Sequence, residues 1–219
     1  MRTAVRWVML VLLLAAALYA ALHPQLDAGR SVGAGAPPAP AAPGASADGQ
    51  ADLAGLRTRA ALQPCPLPAP GAARGTGPLS GVVLPCLGSP GQVDLGTALA
   101  GRPALLNLWG PLCRPCAEEL PALARYAAAP DAVPVLGVEV QQLPEDALDM
   151  LATLHVRYPS VSDPDGRLRA ALGAPPVLPL TYVVGADGRV TQVTPPEVMR
   201  SPEQVRAVVA RYLGAGAHG

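Results

Sequence analysis

The sequence has 219 residues, enough for one ordinary domain and its appendages, and its 16 basic and 16 acidic side chains cancel. That balance excludes the basic footprint of a nucleic-acid binder and a polybasic membrane patch. Half of the chain is hydrophobic, yet Phe is absent, so the core has to be built from Leu, Val and Ala.

Arg2 and Arg6 precede an uncharged apolar run, Trp7–Leu22. A basic flank followed by such a run is the pattern of an export signal or an N-in membrane anchor. Its 16 residues fall between the lengths typical of the two. Trp7 and Tyr19 at the ends favour an uncleaved anchor, whereas Ala15–Ala17 would suit cleavage. Residues 1–26 are read as this segment, an anchor in preference to a removed signal, and either places the rest of the chain outside the cytoplasm.

Residues 27–78 are read as an Ala/Gly/Pro-rich tether, too poor in large apolar groups to offset chain entropy. A helical-looking piece, Ala51–Leu62, interrupts it and is assigned no function. Cys65 and Cys86 follow. Outside the cytoplasm they are expected to form a structural disulfide, worth roughly 3 kcal/mol in the chain-entropy picture. The competing reading is a zinc site using all four cysteines, weakened because two of its ligands would come singly.

The globular pattern spans 79–219. Short strands are expected near Gly81–Leu84 and Val93–Leu95, and a strand ending at Trp109. A helix then runs to about Ala128, with Pro121 inside it. The apolar strand Ala132–Val140, a helix from Pro144 to about Val156, an extended piece at Tyr158–Val161 and a small helix Arg167–Leu172 follow. A proline-led strand, Pro175–Val184, turns through Asp187-Gly188 into Arg189–Thr194. A helix opened by the capping box Ser201-Pro-Glu-Gln204 closes the chain.

The chemistry concentrates in Trp109-Gly-Pro-Leu-Cys113-Arg-Pro-Cys116-Ala-Glu-Glu119-Leu-Pro121. A Cys-x-x-Cys between an apolar strand and a helix is a redox motif. The unpaired N–H groups and positive dipole end of a helix N-terminus favour a thiolate, which is the attacking species. Cys113 is therefore the expected nucleophile, and Cys116, one turn on, the resolving thiol. Arg114 adds a cation beside the nucleophile, and Pro115 stiffens the first turn at no cost in donors. His23, His155 and His218 all lie away from the motif and are read as structural or solvated.

This order of elements resembles the thioredoxin fold, a mixed central sheet flanked by helices. It is more similar still to the membrane-tethered TlpA/ResA-like branch, which includes the thioredoxins of cytochrome c maturation. Leu106–Pro121 resembles the branch's Asn-Phe-Trp-x-x-Trp-Cys-x-Pro-Cys-x-x-Glu-x-Pro signature. Val138–Leu172 looks like its strand-and-helix insert, and Val177-Leu-Pro-Leu-Thr181 like its cis-proline loop. Leu112 stands where the branch usually has Trp, and Leu180 where Thr commonly follows the proline.

The resemblance implies a thiol–disulfide oxidoreductase with no cofactor beyond the Cys113–Cys116 pair and no metal. Pro179 would be the cis-proline facing Cys113, and Leu178 would pair its backbone with a partner's extended segment. Trp109, Leu112, Arg114 and Pro115 would complete the partner-facing rim. Glu119 matches the branch's buried acid, expected to exchange protons with the thiols. Glu118 is read as a first-turn acid that complements the helix dipole. The implied partners are thiols and disulfides of exported proteins, apocytochrome c among them, and a membrane thiol–disulfide electron carrier. The resemblance and Glu119 point to a reductant, whereas Arg114, by stabilising the thiolate, pushes toward an oxidant. A cysteine-based metal module and a thiol peroxidase are the other classes weighed, and the Cys-x-x-Cys speaks against the second.

Overall fold

The computed structural model describes residues 53–71, 75 and 77–215. The expected membrane segment and most of the expected tether lie outside these residues. Among the described residues, no helix is long and apolar enough to cross a membrane.

Helix α1 covers residues 53–60. A two-stranded antiparallel hairpin follows, β1 (Val83–Pro85) and β2 (Gln92–Asp94), closed by the one-turn helix α2 (Leu95–Ala98). Then come β3 (Ala104–Trp109), α3 (Arg114–Ala127), β4 (Val135–Glu139), α4 (Pro144–Thr153), β5 (Ser160–Ser162) and α5 (Arg167–Leu172). β6 (Leu180–Val184), β7 (Val190–Gln192) and α6 (Pro202–Ala215) complete the chain. Five strands form one sheet in the order β5-β4-β3-β6-β7. β3 is parallel to β4 and antiparallel to β6.

β3 is central and every one of its residues is buried, which is why its sequence reads as an almost unbroken apolar run. Successive side chains of a strand point to opposite faces. Leu105 and Trp109 thus join the core under α3, α4 and α6, while Ala104, Leu106 and Leu108 join the core with the hairpin, α2 and α5. Val183 of β6 packs in the first core and Leu180, Tyr182 and Val184 in the second. Asn107, between Leu105 and Trp109, therefore lies on the α3 face.

The folded body begins by residue 53, earlier than the expected boundary at 79. Leu53, Leu56 and Ala60 fall on one face of α1 and pack on the first core, with Ala60 fully buried. Arg57 Nε donates to the Leu87 carbonyl at 3.0 Å, Gln63 N–H to the Arg157 carbonyl at 2.7 Å, and Arg157 Nη1 to the Ala60 carbonyl. Three leucine- and alanine-sized anchors suffice because both ends of the segment are also hydrogen-bonded to the domain.

Elsewhere the elements lie within a few residues of their expected positions. Helix α4 ends at Thr153, and His155, expected on it, instead takes a left-handed turn at φ 55°. At the start of α6, Ser201 Oγ accepts from Gln204 N–H at 3.3 Å, while Gln204 Oε1 accepts from Arg200 N–H at 2.7 Å.

Candidate active site around Cys113 and Cys116

The end of β3 feeds directly into the site. Gly110 is packed under Gln141: a Cβ there would lie 2.3 Å from the Gln141 side chain. Gln141 Oε1 accepts from Leu112 N–H at 2.9 Å, so the loop after β4 fixes the turn that presents the cysteines. Gln141 carried no signal in the sequence, because its role depends on β3 and β4 being parallel neighbours.

Cys113 is the N-cap of α3, and its sulfur accepts from Cys116 N–H at 3.2 Å. That bond satisfies one orphan donor of the helix and places Cys113 at the positive end of the dipole. Cys113 and Cys116 are disulfide-bonded, with Cys113 at the edge of exposure (9%) and Cys116 fully buried. The asymmetry suits an attacking sulfur outside and a resolving sulfur within. Pro115 occupies the first turn, and α3 runs on through Pro121, whose missing N–H deprives the Ala117 carbonyl of its usual donor.

Leu112 is 74% exposed, an apolar side chain offered to solvent beside Cys113. Trp109, expected on the rim, is instead fully buried. Its ring occupies the space opened by Gly137, where a Cβ would come within 3.0 Å of Trp109 Nε1 and 3.1 Å of the Tyr158 ring. A fully buried side chain cannot touch a docking partner, so Trp109 supports the site from behind.

The Leu178–Pro179 peptide bond is cis. Pro115, Leu178, Pro179, Pro196 and Val198 line one small cavity of about 140 Å³. The cis-proline loop is thus brought to the start of α3, and the segment after β7 forms the opposite wall. Val177, half-exposed, extends the apolar lip of that groove.

Glu118 and Glu119 are neighbours with opposite fates. Glu118 stays partly exposed, 2.8 Å from Arg200 and 3.9 Å from Arg114. Arg114 projects almost wholly into solvent, so its charge is shared with Glu118 and screened. Glu119 is fully buried; Oε1 accepts from Met199 N–H at 3.0 Å and Oε2 from Asn107 Nδ2 at 2.8 Å. Burial pushes its carboxyl up to about 7, and the nearby Glu197 charge adds to that rise, whereas the two hydrogen bonds oppose it. Tyr158, behind it, is held well above the usual phenol range by burial and by the Glu119 charge.

Cys65 and Cys86 form the second disulfide. Cys86 bridges to Val161 of β5, and Leu87 N–H donates to the Ser160 carbonyl at 2.9 Å, so the bond ties the leading segment to the sheet edge. The four cysteines therefore pair as 65–86 and 113–116. Among the described residues, no three His, Cys, Asp or Glu side chains converge as a metal site.

A parallel-and-antiparallel sheet with a Cys-x-x-Cys capping the helix after its central strand, opposite a cis-proline, defines a thioredoxin-like domain. Residues 84–193 match the AhpC/TSA family, and the chain belongs to it. Over 107 residues the chain is 38% identical to the thiol:disulfide interchange protein DsbE of Xylella fastidiosa, covering 48% of this chain and 52% of that one. It is 29% identical over 97 residues to the thiol-disulfide oxidoreductase ResA of Bacillus subtilis, covering 43% and 54% respectively. The chain thus spans about half the length of these relatives. Among solved structures it resembles a secreted Mycobacterium tuberculosis disulfide oxidoreductase homologous to E. coli DsbE, at 28% identity and a TM-score of 0.54, covering 61% of this chain and 97% of that one. These matches agree with the TlpA/ResA-like resemblance of the sequence.

Proposed function

We propose that the protein is an extracytoplasmic thiol–disulfide oxidoreductase of the DsbE/ResA type, acting as a reductant of exported proteins. The observation that carries this reading is the Cys113–Cys116 disulfide at the N-terminus of α3 with the buried Glu119 one turn further on.

In the reduced enzyme, the Cys113 thiolate attacks one sulfur of a partner's disulfide. A mixed disulfide forms, and the partner's other sulfur leaves as a thiolate that takes up a proton. The Cys116 thiol then gives its proton to the Glu119 carboxylate and attacks the Cys113 sulfur. The Cys113–Cys116 disulfide closes, the partner's second thiolate leaves, and two electrons have passed to the partner. A carboxyl that titrates near 7 is suited to both taking and returning that proton at neutral pH.

Charge supports that direction. A buried carboxylate disfavours thiolates nearby and so favours the disulfide form, which makes the reduced enzyme the stronger electron donor. Arg114 would oppose this, but it lies in solvent against Glu118. The groove beside Pro179 would receive the partner's extended segment, with Leu178 supplying backbone pairing and Leu112 and Pro115 an apolar rim. The disulfide of an apocytochrome c, released as two thiols, is the proposed substrate class by similarity to the branch. The electrons would come from a membrane dithiol carrier, and Trp7–Leu22 would hold the protein at that membrane.

The test is the reduction potential of the full chain, equilibrated with glutathione or dithiothreitol buffers. A value near about −270 mV supports the reductant, whereas one near about −120 mV would make the protein an oxidant that introduces disulfides. If Cys113 and Cys116 showed no two-electron transition, the redox reading would be wrong.

A further inference from the structure

β3 carries one polar side chain, Asn107, in an otherwise apolar strand. Asn107 is fully buried; Nδ2 donates to Glu119 Oε2 at 2.8 Å and to Thr181 Oγ1 at 3.4 Å. Its Oδ1 has no hydrogen-bond partner among the described residues. Burying an amide with an idle carbonyl is unfavourable, and a leucine like its neighbours would avoid the cost. The asymmetry is informative: both amide protons are given to acceptors, one of them a carboxyl oxygen.

Three other elements bring groups to that carboxyl, and Cys116 precedes it by about one turn on its own helix. Glu197 and the Met199 N–H lie on the segment before α6, Tyr158 on the segment before β5, and Asn107 on β3. Glu197 and Tyr158 supply no positive charge, and Arg200 is drawn to Glu118 on the surface. Two N–H donors are therefore what offsets burial of the ionised form. One is backbone and is independent of side-chain identity. The other is Asn107, whose orientation is set by Thr181, two residues past Pro179.

We propose that Asn107, oriented by Thr181, is a positioning residue that keeps the Glu119 carboxylate available to accept the Cys116 proton in the resolving step. This rests on the reading of Glu119 given above. A donor amide stabilises the carboxylate more than the acid, so its loss leaves Glu119 protonated at neutral pH. The Cys116 thiol then has no base, and release of the partner from the mixed disulfide slows. Thr181 links this proton acceptor to the loop on which the partner docks.

The test reads Glu119 protonation directly in the reduced full chain, from the infrared band of its carboxylic acid as pH is stepped. The band is assigned by its loss in Glu119→Gln. Asn107→Leu, close to volume-conserving, is expected to move the midpoint up by about one pH unit or more. The pH profile of partner release should move with it. Thr181→Val should move both in the same direction by less, because the amide is then free to turn its carbonyl toward Glu119. A folded Asn107→Leu protein with an unmoved midpoint overturns the proposal, since a merely structural role lowers the melting temperature alone. Should Asn107→Leu not fold, Thr181→Val decides: a rise supports the proposal and no rise overturns it. Failure of the underlying function would be seen separately, as a wild-type chain with no two-electron transition at Cys113 and Cys116.

Discussion

The two disulfides sit in opposite surroundings. Cys65–Cys86 closes a 21-residue separation between irregular chain and the sheet edge, where Cys86 is flanked by backbone pairing to β5. Cys113–Cys116 spans a separation of three, caps a helix, and has a buried carboxyl in the next turn. The first constrains the chain, tying the leading segment to the sheet edge. The second constrains little, because it closes almost no loop, but Cys113 stands at the positive end of a helix dipole and its sulfur accepts from the Cys116 N–H. A disulfide's role is thus decided less by the bond than by what surrounds the sulfurs.

The largest effects are expected when sulfurs are removed from each pair in turn. Cys113→Ser should reduce disulfide exchange to background, and Cys116→Ser should accumulate a mixed disulfide with a partner, visible by non-reducing gel or intact mass. Removing Cys65 and Cys86 together, as Cys65→Ala with Cys86→Ala, should leave exchange and potential in place. It should instead cost about 3 kcal/mol of stability, read from urea midpoints. Loss of exchange in that double variant would erase the distinction.

Glu119 adds a pH dependence that the other disulfide's surroundings give no reason to expect. Its folded-state pKa of about 7 lies above the ordinary carboxyl value of 4.5, so the folded protein holds a proton that the unfolded chain has lost. The stabilisation is complete at low pH and is lost as pH rises through about 7, a change of order 3 kcal/mol. Glu119→Gln should remove this slope and melt higher than wild type at pH 8, as measured by thermal unfolding across pH. Smallest is Arg114→Ala. An exposed ion pair contributes little, so the potential should move by less than about 20 mV.

The Glu118-Glu119 pair shows where local sequence stops being informative. Both acids are open to the same first-turn, dipole-complementing reading, but α3 begins at Arg114 and has no acid in its first turn. α6 and its leading segment separate them. Arg200 meets Glu118 outside, and Met199 N–H meets Glu119 inside, each about eighty residues away in sequence. Trp109 is a similar case. Its place beside the motif suggested a partner-facing ring, but the gap at Gly137 on the neighbouring strand takes the indole inward.

The order of strands and helices, the Cys-x-x-Cys at a strand-to-helix junction and the proline-led strand were all legible along the chain. These rest on periodicity, caps and turn residues within a few positions of each other. Packing was needed to place α1 on the folded body, Gln141 against the Gly110–Leu112 turn, and Asn107 and Met199 on Glu119. Those contacts join strands and loops distant along the chain. Their residue types, an amide, a short apolar helix and a backbone N–H, acquire meaning only from the neighbours that packing brings to them.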